Sequence, residues 1–426
     1  MVSNQKVEKV QAPHQSAATN KPAKGPSTPV DDLLAPLLAP LRLTGATVLR
    51  DRQMINRSVA IAGGRIAAGP FPAVDLSGYW ILPGIIDLHG DAFERHLAPR
   101  PSALFPLPMA LAGTDRDAAA NGVTTAWIAQ SWSWEGGQRS PDFAEALLAA
   151  IAAYRPRALT DLRVQLRFET HEVDSAERLL GAVQAHGVDL VVFNNHIDEA
   201  LTMWETSPHD VTLWAKRGGR TGEELIAVVQ AAKARAREVP RTLCRLAEAF
   251  DRLGVVYGSH DDPDGETREA FAMIGARICE FPTSMMAANV AHAVGDPVLM
   301  GAPNVVRGGS QAGNIAAATL IRAGRCDALV SDYHYPALSQ AAFALVDQGL
   351  RTLPQAWAML SEAPARIMRM PDRGVIAPGM RADLTIINQA TRLIEATITG
   401  GRIAHLAGGA AHRFMAMGAG LSLAAE

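Results

Sequence analysis

Cysteine is scarce: three in 426 residues, at positions 244, 279 and 326, with no CxxC pair. That excludes a disulfide-stapled scaffold and a thiolate metal site. Reduced core thiols in a cytoplasmic protein are expected instead. No run of about 18 apolar residues occurs, so no membrane-spanning helix is expected. Neither charge sign dominates. Forty Lys and Arg against 43 Asp and Glu give a formal net charge of −3, which removes the electrostatic case for a nucleic-acid partner. No GxGxxG follows a first strand, so an open dinucleotide-binding sheet is not indicated. Residues 1–30 lack the apolar stretch of a secretory signal. They carry too little apolar surface to offset ordering entropy, so they are expected to be disordered. A short helix is expected over 31–41.

What is abundant is apolar surface. Some 48% of residues are hydrophobic and only 19% are charged. That balance suits a buried parallel sheet wrapped by helices. Strand-type runs fall at 80–89, 122–129, 161–170, 188–196, 255–261, 276–281, 297–303 and 327–332, and helical patterns separate most of them. The alternation predicts a (β/α)8 TIM-like barrel over 82–370. SVAIAGGRIAA and ATITGGRIAHLAG are matching hairpin signals near the two ends. Together they predict a small β domain built from 42–81 plus 371–408.

Barrel chemistry sits at the carboxyl ends of the strands. The stretch ILPGIIDLHGD places His89 and Asp91 at i and i+2, on one side of a strand end. Later strand ends supply Glu169, His196, His260 and Asp332. Local roles exist for each; Glu169, for example, has Arg167 as a neighbour. Convergence at five strand ends outweighs them. Nitrogen and oxygen donors of this kind suit one or two divalent cations, with Zn first and Mn, Fe or Ni as alternatives. Glu169 is placed to bridge two ions. Asp332 is placed to orient a water and take its proton.

Leu-Pro-Gly followed by His-x-Asp, then lone His residues and a late Asp, resembles the amidohydrolase superfamily. Longer strings resemble its PhnM family of the carbon–phosphorus lyase pathway: LHGDAFERHLAPRP, GSHDD, EFPTS, MGAPNVVRGGSQAGN, SDYHYPA and DRGVIAPGMRADL. The resemblance implies hydrolysis of α-D-ribose 1-methylphosphonate 5-triphosphate to the 5-phosphate and pyrophosphate. Hydroxide held by two ions would attack the α-phosphorus. The implied ligands are His89, Asp91, Glu169, His196, His260 and Asp332. Arg95, Arg100 and Arg307 suit the phosphates. Lys216, Arg217 and Arg220 suit a lid in a long insertion. A small-molecule substrate and self-association are expected.

Some positions depart from the family pattern. Thr114 and Gln311 stand where it has His, and both are expected near strand ends. Trp127, Trp132 and Trp134 are candidates for an apolar pocket, which would suit a metal-dependent hydrolase of a C–N bond in a cyclic amide or a deamination substrate. The strand count also puts Glu169 on the third strand, where the resemblance puts the bridging ligand on the fourth. A further strand before it, or an irregular barrel, is therefore expected.

Overall fold

The computed structural model describes residues 36–100 and 103–423. The first thirty residues, expected to be disordered, lie outside the described residues. So do residues 31–35 of the expected helix over 31–41. Residues 36–40 are not helical, and Leu41 opens a strand. Pro36 and Pro40 account for this, because neither can donate to a helical ladder. Leu41 and Leu43 instead alternate inward with the period of a strand.

Eight parallel strands form one sheet in sequential order. They are β1 (Ile85–Gly90), β2 (Val123–Trp132), β3 (Asp161–Glu169), β4 (Leu190–Asn194), β5 (Val256–His260), β6 (Ile278–Glu280), β7 (Val298–Gly301) and β8 (Ala328–Val330). The sheet closes on itself. Asp91 N–H donates to Asp332 C=O at 2.9 Å, and Asp332 N–H donates to His89 C=O at 2.9 Å. A parallel bridge between Gly90 and Asp332 completes the seam. Lower down, Ile86 N–H donates to Leu360 C=O and Leu329 N–H to Met359 C=O. The barrel is therefore closed, with its interior filled by Ile86, Leu88, Trp127, Leu190, Ile278 and Leu299.

The run over 80–89 is two strands, not one. Tyr79–Pro83 belongs to a six-stranded sheet that also contains Thr47–Arg50, Gln53–Asn56, Leu384–Asn388, Ile394–Thr399 and Arg402–Leu406. The chain changes sheets at Gly84. A Cβ there would meet Thr124 Oγ1 at 2.4 Å, so only glycine fits between the two sheets. A four-stranded sheet, Leu41–Thr44, Val59–Ala62, Arg65–Ala67 and Ala73–Asp75, lies beside it in sequence. Both double-glycine hairpins form. Their turns press together: Gly64 and Gly401 have positive φ, and a Cβ on Gly401 would lie 2.5 Å from Gly64 Cα.

The long connection after β4 is helical. Ile197–Thr206, Pro208–Arg217 and Gly222–Ala234 bury Ile197, Val211, Leu225 and Val229 against Trp134, a separate apolar cluster outside the barrel. Thr221 caps the third helix by accepting from Glu224 N–H at 3.2 Å, and Glu224 accepts from Thr221 N–H at 2.8 Å. Among the described residues no helix is long and apolar enough to cross a membrane.

Candidate active site and metal centre

The carboxyl ends of the strands deliver the expected donors to one end of the barrel. His89 is the penultimate residue of β1, Glu169 ends β3 and His260 ends β5. His196 stands two residues beyond β4, and Asp332 two beyond β8. Glu169 is on the third strand, and no extra strand precedes it in the barrel. The expected additional strand is absent because 93–120 forms helices, Phe93–Leu97 and Leu107–Ala120.

One group of donors is His89, His260 and Glu280. The imidazoles stack with centroids 5.4 Å apart and planes at 18°. Glu280 Oε2 lies 2.7 Å from His260 Nδ1 and 3.0 Å from His89 Nδ1. The contact to His89 is not aligned as a hydrogen bond, so that buried ring nitrogen is unsatisfied. Glu280 is fully buried. Burial pushes its carboxyl up, but the two imidazoles outweigh burial and hold it well below the usual range. Burial pushes His89 down, and Glu280 more than reverses this. His260 Nε2 lies 2.9 Å from the Arg167 guanidinium and 3.3 Å from Asp261 Oδ2.

A second group is Glu135, Glu169 and His196. Glu169 and His196 form a short ion pair through His196 Nδ1, and Glu169 Oε2 also accepts from His196 N–H at 3.2 Å. Burial opposes the charge on His196, yet Glu169 raises its pKa to about 9. Glu135 accepts from Arg139 Nη1 at 3.1 Å and from the Trp214 indole N–H. Trp214 in turn meets His196 edge to face, with centroids 6.4 Å apart. The helical insertion is thus tied to this half of the site.

The third group is His89, Asp91 and Asp332. Asp332 sits at φ +55°, a left-handed conformation that Asp tolerates better than most residues. Burial raises its carboxyl pKa to about 6, against the pull of His89. These residues open onto a cavity of about 270 Å³ that Arg307, Gln311, Asn314 and Tyr333 also line. Arg307 Nη1 meets two neutral oxygens, Gln311 Oε1 and Tyr333 Oη, each at 3.3 Å. Arg95 lies over the Tyr333 ring, 5.6 Å from its centroid. Arg95 and Lys216 line a neighbouring cavity, while Arg100 is exposed and lines neither.

Two expectations are corrected, and one is met. Thr114 is not at a strand end. It is buried within the helix Leu107–Ala120, where its hydroxyl donates to Ala110 C=O at 2.9 Å. Gln311 does reach the cavity. The tryptophans form no pocket at the site. Trp127 fills the barrel interior and donates to Asp189 Oδ1 at 2.7 Å; Trp132 is buried under helices and donates to Ser175 Oγ at 2.9 Å. Trp134 packs into the insertion. Two residues escaped sequence reasoning, Glu280 and Arg167. Glu280 lay in view within EFPTS, next to a strand end, and could have been found by the rule that gave the other ligands.

Buried His and carboxylate donors at the carboxyl mouth of a closed barrel define a hydrolase of amidohydrolase type. Residues 107–405 match the Amidohydro_3 model, described as the amidohydrolase family, and the chain belongs to that family. Within it the chain is PhnM-like: it is 31% identical over 365 residues to the α-D-ribose 1-methylphosphonate 5-triphosphate diphosphatase of Escherichia coli strain K12, covering 82% of this chain and 95% of that relative. Solved structures share the fold. N-acetylglucosamine-6-phosphate deacetylase from Pasteurella multocida superposes with a TM-score of 0.57 at 11% identity, covering 86% of this chain and 99% of that one. Dihydropyrimidinase from Brevibacillus agri NCHU1002 gives 0.52 at 12%, covering 88% and 97%.

The donor set fits a divalent cation, as is typical of the superfamily. The unsatisfied His89 Nδ1 and the clustering of imidazole and carboxylate donors from His89, His260, His196, Asp91, Glu169 and Asp332 are the observations that carry this fit.

Proposed function

We propose that this hydrolase cleaves α-D-ribose 1-methylphosphonate 5-triphosphate, giving the 5-phosphate and pyrophosphate. The observation that carries the reading is Arg307. It projects into the cavity that holds His89, Asp91, His260 and Asp332, and its hydrogen-bond partners there are neutral oxygens. A guanidinium left uncompensated beside a hydrolytic centre suits an anionic substrate. The 31% identity to a diphosphatase supports the same substrate class. Packing of Trp132 and Trp134 away from the mouth removes the feature that would have favoured a cyclic amide.

His89, Asp91, Glu169, His196, His260 and Asp332 would hold the divalent ions, two in number with zinc the first candidate. Such ions supply Lewis acidity for hydrolysis at neutral pH. Asp332 orients the attacking water and takes its proton on the carboxylate. The water oxygen bonds to the α-phosphorus. The bond to the α–β bridging oxygen breaks, and that oxygen leaves with pyrophosphate. Glu280 fixes the His260 ring through Nδ1, and Arg95, Arg307 and Lys216 bind the phosphate and phosphonate oxygens. Arg100 has no such placement and drops out of the set.

The test is pyrophosphate release from the ribose triphosphate by enzyme loaded with Zn²⁺ or Mn²⁺. Release that stops on chelation and returns with metal is expected. No release across Zn²⁺, Mn²⁺, Fe²⁺ and Ni²⁺ would overturn the reading.

A further inference from the structure

Beside the first cavity lies a larger one of about 730 Å³, lined by Arg95, Arg139, Lys216 and Arg217 together with Glu94 and Glu135. Arg139 is 3.1 Å from Glu135 and 3.9 Å from Glu94, so it meets both acids. The other three cations make no salt bridge among the described residues. Four cations against two carboxylates leave a positive surplus in this cavity. Tyr333 is the partition. Arg95 lies over its ring, and its hydroxyl meets Arg307 on the other side. Glu135 connects the larger cavity to the donors, since its carboxylate lies within 4.8 Å of the ligand atoms of Glu169 and His196.

The two cavities thus flank one donor set and differ in charge. The smaller sets Arg167 and Arg307 against the carboxylates of Asp91, Asp261 and Asp332, beside the neutral amides of Gln311 and Asn314. The larger sets four cations against two carboxylates, and three of the four are outside any salt bridge. Resting on the substrate reading above, we propose that Arg95, Lys216 and Arg217 form the subsite for the two distal phosphates, which leave as pyrophosphate. The phosphonate end, with one charge, lies against Arg307, and the amides suit the ribose hydroxyls. Charge decides this orientation: the polyanionic end matches the cavity with the positive surplus. Lys216 and Arg217 occupy the last turn of Pro208–Arg217 and are exposed, so removing them leaves the fold intact.

The test uses calorimetric binding of inorganic pyrophosphate to metal-loaded enzyme, with methylphosphonate as a second probe. Lys216→Ala/Arg217→Ala should weaken pyrophosphate binding about 10-fold or more while leaving methylphosphonate binding within about twofold. Arg307→Ala should do the reverse. Pyrophosphate binding that is unchanged in the double variant, or lost equally in Arg307→Ala, would overturn the subsite. Binding needs no turnover, so the two readings fail separately. A protein that binds pyrophosphate through Lys216 and Arg217 yet leaves the ribose triphosphate intact refutes the substrate and keeps the subsite.

Discussion

Glu280→Gln isolates the charge of the carboxylate that sits between two candidate metal ligands. Glu280 Oε2 faces His260 Nδ1 at 2.7 Å and His89 Nδ1 at 3.0 Å, while Oε1 accepts from Gln165 Nε2 at 2.9 Å. Gln165 Oε1 has no partner, so that amide can turn and accept from the new one. Shape and hydrogen bonding then survive, and only the charge is lost. A hydrogen bond to a charged group is worth about 1.5–3 kcal/mol, against about 1 for a neutral one. The aligned bond to His260 accounts for about 0.5–2 kcal/mol of loss, and the unaligned ionic contact with His89 adds at most a similar amount, about 0.5–4 kcal/mol together. Replacing a carboxylate that supports a ligating His costs about 10–100-fold in metal affinity, which falls inside that range. Competition with a chromophoric chelator measures the affinity, and elemental analysis the content. Excess metal should restore part of the turnover. Affinity within twofold of the parent would refute the reasoning, because the charge would then be irrelevant to how the histidines are held. Glu280→Leu is the harsher control. It strands the Gln165 amide and both imidazoles in a buried site and should lower stability as well.

Asp332→Asn should lower kcat by about 10²–10⁴-fold with metal content nearly intact, and a kcat within threefold of the parent would remove Asp332 from proton transfer. Arg268→Met should cost about 3–5 kcal/mol in urea unfolding, because the buried guanidinium bonds Ser259 Oγ at 2.6 Å and pairs with Asp262 and Asp296 at 3.4 and 3.2 Å. A loss under about 1 kcal/mol would show the network to be dispensable. Burial opposes the charge of Asp161, but Arg163 and Arg373 hold its carboxyl below the usual range. A depressed carboxylate stabilises above its unfolded pKa, near 3.9, and that contribution is lost as pH falls through the folded value. Asp161→Asn should therefore lower stability at pH 7 and flatten its fall below about pH 4; an unchanged acid limb in thermal melts would contradict this.

The barrel was legible because its strands are apolar runs of the right length, punctuated by turns. All eight barrel strands overlap the expected segments. What stayed hidden depended on direction rather than on type. The run over 80–89 reads as continuous because Gly84 is a change of sheet, and an apolar pattern does not say which sheet a residue serves. Thr114 is expected near a strand end because it stands where the family pattern has His, yet it is buried within a helix. The tryptophans were read by composition, but residues on one strand alternate between barrel interior and outer helices. Trp127 and Trp132 lie on opposite faces of β2 for that reason. Glu280 ends a strand inside the expected run over 276–281, so its type and place were legible and only its partners, His89 and His260, were not.

Closure of the barrel and construction of the site are one event. The seam joins β1 to β8 through His89, Gly90 and Asp91 on one side and Asp332 on the other. Three donors of a single ligand group are therefore brought together by the same hydrogen bonds that complete the sheet. The seam is braced below by Asp87, whose carboxylate accepts from Ser331 N–H at 2.8 Å and Ser331 Oγ at 2.6 Å. Burial raises the Asp87 pKa to about 7, so those bonds offset only part of its desolvation cost. The neighbouring Asp332 adopts positive φ, which directs its side chain toward the mouth at the expense of local backbone energy. A buried carboxylate and a strained residue side by side destabilise a seam that a leucine and an extended backbone would hold more cheaply. They are retained together at the one seam where strand closure also sets the position of the proton acceptor. The arrangement follows if geometry at Asp332 matters more to this chain than stability there.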